Sequence, residues 1–477
     1  MLFNSYEYLL YFLPLTLAGY FFVSRRTRFG VHWLVAASLF FYAWWRPAHL
    51  PVIVLSIAFN FLVGRLLQRR VAGGDRRSTR SLLTFGVTAN LALLGVFKYT
   101  DFALENIALA LGRPLTLLHL SLPLGISFFT FTQIAYLIDV SRRRAREPSL
   151  GNYALFVTFF PHLLAGPILH HADMMPQFAS RWNKLPRMEN MALGIFLLSI
   201  GLAKKLFADH FVPTVNDAFA HPSSLDFASA WTAALSYTLE LYFDFSGYTD
   251  MALGAAWLFN IRLPLNFNSP YRATDIRDFW QRWHMSLMRF LRDYVYAALR
   301  GDGRHEGRVA AALFMTFVLG GIWHGAGWTF IAWGALHGLA LIVERYWRKL
   351  GIALPAVIGW ALTLGFFVLT LMFFRAASMT DALTILSAMS GSGSDVRASV
   401  TTGLGAAWQQ ARDPWSMLQT PAAWITAGFA LVLWPVNSNQ LAARFRPTPL
   451  SGLVVCLMLG WCVLHLSQVT QFIYFNF

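Results

Sequence analysis

The sequence predicts an all-α polytopic membrane protein, and three observations carry that fold class. First, 56% of the 477 residues are hydrophobic and only 13% are charged, with a mean hydropathy of +0.49. A soluble chain of ordinary composition carries about 25% charged residues. Second, apolar stretches recur along the whole chain, among them 5–23, 81–97, 190–207, 354–374 and 450–466. A helical span needs about 20 predominantly apolar residues, so about 11–13 membrane segments follow, some of them short or broken. Third, the basic residues gather between those stretches: Arg25, Arg26 and Arg28; then Arg65, Arg69, Arg70, Arg76, Arg77 and Arg80; then Arg142, Arg143, Arg144 and Arg146. They recur after every second segment, the positive-inside pattern of a chain whose N-terminus lies outside. The net charge of +15 thus reflects topology and anionic lipid rather than nucleic acid.

Taken in order, the first segment has no Lys or Arg before it. It lacks the basic start of a cleavable signal and is expected to be retained. Within 152–209, "FFPHLLAGPILHH" places Pro161, Gly166 and Pro167 where they interrupt a helix, which predicts a broken or re-entrant segment. Residues 262–308 carry nine arginines. Their core, "TDIRDFWQRWHMSLMRFLRDYVYAAL", has apolar residues at 276, 279, 280, 283, 287, 290, 291, 294 and 295. That spacing predicts one amphipathic helix with Thr274 as N-cap, lying at the cytoplasmic interface with its arginines in water. Residues 376–421 contain only two basic residues, Arg397 and Arg412, and read as an extracytoplasmic loop. The two cysteines, Cys456 and Cys462, share one apolar segment and suggest neither a disulfide nor a metal site. With no internal repeat in view, residues 1–477 read as a single membrane domain.

The chemistry concentrates in "LGGIWHGAGWTF", residues 319–330. If the basic clusters on either side are both cytoplasmic, 309–323 rises and 327–343 returns. Limbs of roughly 22 and 26 Å fall short of the ~30 Å hydrocarbon core, which would leave His324 inside the membrane. Gly320, Gly321, Gly325 and Gly327 allow a tight turn or close approach, and Trp323 and Trp328 supply apolar walls with an N–H each. An intramembrane ionisable residue is a candidate functional group. A neutral imidazole there suits a general base acting on a hydroxyl. No G-x-S-x-G, H-E-x-x-H or phosphate loop accompanies it, which disfavours hydrolases and NTPases. His284, in "QRWHMSL", is a second candidate, sharing a helix face with Trp280. His337 lies about 20 Å from His324 if the chain between is helical, and reads as packing. His170 and His171 have no convergent ligands and suggest no metal. "YFDFSGYTDMALG" places Asp244, Ser246, Tyr248 and Asp250 in an apolar run, where acids must be paired or face a polar cavity.

"YFDFSGYTDMALG", "LPLNFNSPYRATDIRDFWQRWHMSL", "LRDYVY", "GGIWHGAGWTFIAWGALHG", "AGPI" (165–168), "FFRAASMTDAL" (373–383) and the terminal "QFIYFNF" together resemble the membrane-bound O-acyltransferase family. The branch resembled is that of alginate and other exopolysaccharide O-acetylation. The resemblance implies a ring of membrane helices around a central tunnel. It implies His324 as the essential histidine and His284 as the second polar position. It further implies a substrate-binding or tunnel set of Trp323, Trp328, Asp244, Tyr248, Asp250, Asn268 and Trp283, with no metal. The implied reaction moves acetyl from cytoplasmic acetyl-CoA to an acceptor hydroxyl outside, without a bound cofactor and with a periplasmic partner protein completing transfer to the polysaccharide. The implied location is the bacterial inner membrane. Two stretches depart from the family pattern: Leu169, His170 and His171 follow "AGPI" where relatives commonly carry an Arg and an aromatic, and "AALRGDG" follows "YVY" where a Leu-Gly-Gly turn is common. The rival readings are a D-alanyl transferase of the teichoic-acid type, a transporter or flippase coupled through intramembrane Asp and His, and a scaffold that recruits a periplasmic acetylase.

Overall fold

The computed structural model describes residues 1–26, 29–303, 305–392, 396–410, 420–466 and 472–473. Arg28, Arg412 and all of "QFIYFNF" except Phe472 and Ile473 fall outside them. Among the described residues every regular element is helical. Six helices are long and apolar enough to cross a membrane: Glu7–Arg25, Pro47–Ala72, Arg76–Leu111, Met188–Asp209, Glu306–His324 and Ala356–Arg375. Five shorter apolar helices, of 10–17 residues, are Gly30–Ala43, Ile126–Ser141, Met379–Met389, Pro421–Leu433 and Pro449–Leu464. The chain is therefore an all-α polytopic membrane protein, as expected.

Local chemistry sets the helix ends. The Arg76–Leu111 helix starts where the Asp75 carboxylate accepts the Ser78 N–H at 2.9 Å. It stops at Gly112, whose φ of 63° lies in the left-handed region that glycine adopts without penalty. At 36 residues it is about 54 Å long, well beyond the hydrocarbon core.

The residues group into two compact units. The first comprises Met1–Leu202, Tyr248–Leu265 and Ala442–Phe475. Its helices are tied by buried amide pairs: Asn60 and Asn90 each donate to the other, at 3.0 and 2.7 Å, and Gln133 donates to Ser56 while accepting from Tyr153. Arg65 reaches the Pro148 carbonyl at 3.1 Å and Arg143 the Val71 carbonyl at 2.9 Å. The clusters 65–80 and 142–146 therefore share one end of this unit, as a positive-inside pattern requires. The expected break is present: helices Leu150–Thr158 and Phe160–Leu163 are split at Phe159, and the chain is then irregular until His171. Every residue from 155 to 171 is buried, which satisfies the condition for irregular backbone in a membrane protein.

The second unit comprises Ala203–Gly247 and Asn266–Leu441, and its elements depart from the sequence pattern in several places. The segment expected to form one amphipathic helix is instead a series of short ones, Ile276–Arg282, Met285–Phe290, the π-helical Leu291–Tyr296 and Ala297–Arg300. Eight of the nine apolar positions are buried, Val295 being the exception, so this face packs into protein. Its cap is Asp275 rather than Thr274: the Asp275 carboxylate accepts the Asp278 N–H at 2.7 Å. The stretch 376–421 holds the helices Met379–Met389 and Val396–Gln410, because Ser378 caps the first and Ala382, Ile385, Ala388 and Met389 give it a buried face. The hairpin limbs are Glu306–His324 and Trp328–Lys349. Limbs of 19 and 22 residues reach about 28 and 33 Å, long enough to cross, so length no longer argues for an apex inside the membrane.

Candidate active site

His324 is the last residue of its helix, which ends because Gly325 turns extended at φ −156°. Gly327 is extended as well, so neither glycine is there for a left-handed turn. They and their neighbours permit close approach. A Cβ at Gly325 would run into the Phe330 ring, one at Gly321 into the Phe330 carbonyl, and one at Gly334 into the Phe317 carbonyl; at Gly338 it would meet Phe314 Cα at 3.0 Å. The limbs thus lie backbone to backbone, and His324 is walled by rings from both limbs and from the next helix. Trp323, Trp333 and Phe374 stand 4.9, 5.3 and 5.1 Å from it, centroid to centroid. The imidazole is 6% exposed.

His284 occupies the break between two short helices. Trp283 is extended, His284 is left-handed at φ 44° and ψ 52°, and Met285 opens the next helix. A residue with a Cβ pays roughly 1–2 kcal/mol for that conformation. Asn266 holds it in place: its carbonyl accepts the Met285 N–H at 2.9 Å, and its Oδ1 accepts the Ser286 hydroxyl at 2.6 Å. The consequence is a histidine with no exposure at all, set edge-on to Phe245 at 4.8 Å and 6.3 Å from Trp323. Neither ring nitrogen has a hydrogen-bond partner among the described residues. Burial without a carboxylate partner favours the neutral imidazole, a base or acceptor rather than a cation. The two histidines singled out from the sequence therefore face one common indole, Trp323.

The remaining expected site residues divide. Asp244, 2% exposed, is ion-paired: Lys205 Nζ lies 2.7 Å from it and 2.8 Å from Asp209. Trp283 is buried among Phe267, Tyr271 and Phe367. Asn268 is exposed, and its Oδ1 accepts from Asn437 at 2.9 Å, a tether between loops. Trp328 is 57% exposed and Trp333 takes the wall position expected of it. Tyr248 and Asp250 are buried in the first unit, where Tyr248 stacks on Phe3 and Phe472 at 4.9 and 4.3 Å. Also in that unit, His171 lies 3.6 Å from Glu147, with both side chains buried. No cluster of three or more metal-ligating side chains occurs among the described residues.

His337 corrects the expected separation. The hairpin folds it back, so His324 and His337 both touch Trp333, at 5.3 and 4.7 Å. Trp333, Phe374 and Asn266 were not singled out from the sequence. The apolar period placed Trp280 beside His284, but nothing in the pattern distinguished Asn266 from Asn268.

The family model of the membrane-bound O-acyltransferases matches residues 74–382, a span that includes His284, His324 and His337. The chain belongs to the membrane-bound O-acyltransferase family. A peptidoglycan O-acetyltransferase of Helicobacter pylori is 40% identical over 100% of this chain and 98% of its own length. A probable alginate O-acetylase of Pseudomonas aeruginosa is 40% identical over 82% of this chain and 75% of its own. A teichoic acid D-alanyltransferase of Streptococcus thermophilus is 28% identical over 47% and 57%. The chain is thus an acyltransferase enzyme of the O-acetylation branch.

Proposed function

We propose that this acyltransferase moves acetyl groups from cytoplasmic acetyl-CoA to hydroxyls of a cell-envelope glycan outside the inner membrane, with its N-terminus outside and a periplasmic partner completing delivery. The observation that carries the reading is the enclosure of His284 and His324 around Trp323, two buried imidazoles in an aromatic wall. In this reading His324 takes the proton of the acceptor hydroxyl as the oxygen attacks the thioester carbonyl. The C–S bond breaks and the same proton passes to the CoA thiolate, so acetyl ester and CoA thiol are the balanced products. His284 positions donor or acceptor through a ring nitrogen. Exclusion of water by the tryptophans favours transfer over hydrolysis.

The acceptor is an exopolysaccharide of the alginate or cellulose kind in one form of this reading. The end-to-end similarity to a peptidoglycan O-acetyltransferase favours the cell-wall glycan as a second form. One experiment separates them. Wild type and His324→Ala are brought to equal membrane levels, and acetate released by mild base is measured from purified sacculi and from extracellular polysaccharide. The fraction that loses acetate in the mutant names the acceptor. Equal acetate in every fraction removes His324 from catalysis, and release of alanine instead of acetate supports the D-alanyl alternative.

A further inference from the structure

Beside His324 a second group of rings closes, entirely within the second unit. Trp280, Trp333 and His337 meet pairwise, with centroids 5.8, 5.1 and 4.7 Å apart for 280–333, 280–337 and 333–337. The two tryptophans are 4% exposed and His337 is wholly buried. Thr370 assigns the histidine tautomer. Its hydroxyl donates to the Phe367 carbonyl at 3.0 Å, so at 3.1 Å it accepts from His337 Nε2–H. His337 Nδ1 is then a bare lone pair. That nitrogen has no hydrogen-bond partner among the described residues, and neither do the indole N–H groups of Trp280 and Trp333.

Three such groups in one desolvated place call for an occupant, because buried polar groups are paired in the great majority of cases and leaving one unpaired is costly. The set is one acceptor and two donors. A carboxylate or carbonyl has nothing to donate to Nδ1, and an ammonium has nothing to accept from the indoles. A hydroxyl matches all three: its O–H donates to Nδ1 and its oxygen has two lone pairs for the N–H groups. Polar rings with two to four partners to offer also meet the requirement of a buried water site.

We propose that Trp280, Trp333 and His337 form a binding site for a single hydroxyl group, joined through the shared Trp333 ring to the His324 enclosure. The hydroxyl belongs either to an ordered water or to the acceptor glycan itself. No bond is made or broken in this site; it holds the group by three hydrogen bonds.

The inference rests on the proposed acetyl transfer, and the controls keep the two apart. Membrane vesicles carrying the full chain receive radiolabelled acetyl-CoA and the glycan fraction identified by the acetate measurement. If wild type transfers no label, the proposed function fails and this site is not the cause. If wild type transfers and His324→Ala does not, the variants become readable. His337→Leu, which removes both nitrogens, lowers transfer by about tenfold to hundredfold. His337→Asn, whose Oδ1 stands near the place of Nδ1, recovers most of that loss. A fall in kcat at constant glycan KM assigns the hydroxyl to water, and a rise in glycan KM assigns it to the acceptor; either supports the site. Full activity in His337→Leu, or equal losses in Leu and Asn variants with normal folding, overturns it. Should His337→Leu fail to fold, Trp280→Phe and Trp333→Phe each delete one donor while keeping a ring. Smaller losses in both are expected, and unchanged transfer in both overturns the proposal.

Discussion

Two regions of the second unit bury polar groups in opposite ways. Around Lys205, charge is matched by charge: Asp209 and Asp244 lie 2.8 and 2.7 Å from one ammonium, on helices whose other residues are mainly apolar. Around His284 and His337 the groups are neutral rings, and His284 Nδ1 and Nε2, His337 Nδ1 and the indole nitrogens of Trp280 and Trp333 have no protein partner among the described residues. The first arrangement sets carboxylates against an ammonium within the protein. The second leaves ring nitrogens facing no protein group among the described residues, and the hydroxyl site proposed above rests on that difference. Asp244, which the family resemblance places with the substrate-binding residues, is the carboxylate held at 2.7 Å by Lys205.

The largest expected effect breaks this contrast at its charged end. Lys205→Met leaves two carboxylates facing each other, and should destabilise the fold by about 3–5 kcal/mol. The triple variant Lys205→Met, Asp209→Asn, Asp244→Asn should regain much of it. Thermal unfolding in detergent reads both, and a single variant as stable as wild type would show that the ions are not a structural pin. At the neutral end, His284→Asn, which the left-handed backbone accepts, should keep its melting temperature and lose acetyl transfer by about a hundredfold, the scale of a proton-handling or positioning group; unaltered transfer would place His284 in the framework. Next, Gly334→Ala and Gly321→Ala drive a methyl against the opposing backbone and should cost about 1–3 kcal/mol, with a loss of activity that scales with the hairpin's displacement. A tolerated alanine at both positions would mean that the two limbs can part to admit a methyl group. Smallest is Asp275→Ala, at about 1 kcal/mol for a lost N-cap, measured against Thr274→Ala, which should cost less.

Much of the architecture was legible because it follows from composition and period. Apolar runs located the long helices, arginine clusters located one end of them, and Pro161, Gly166 and Pro167 announced a break that is present. His284 and His324 could be singled out because ionisable rings stand out in such a background. The rest depends on three-dimensional closure. The apolar spacing of 276–295 is helical throughout, yet a left-handed His284 held by Asn266 interrupts it, and no local propensity announces a strained residue. The sequence offered Trp328 as a wall, but it is exposed, and the hairpin crossing turns Trp333 inward in its place. Distance along a helix separated His324 from His337, whereas the fold-back joins them through one ring.

The left-handed backbone at His284 has an evolutionary consequence. Glycine adopts that conformation without the Cβ penalty that histidine carries. Selection for heat resistance alone would therefore pull position 284 toward Gly and gather sturdier proteins with the imidazole gone, a conflict between durability and turnover familiar wherever strain is kept at a working site. A library sorted first on melting point and then on transfer should show the two rankings running in opposite directions at this codon.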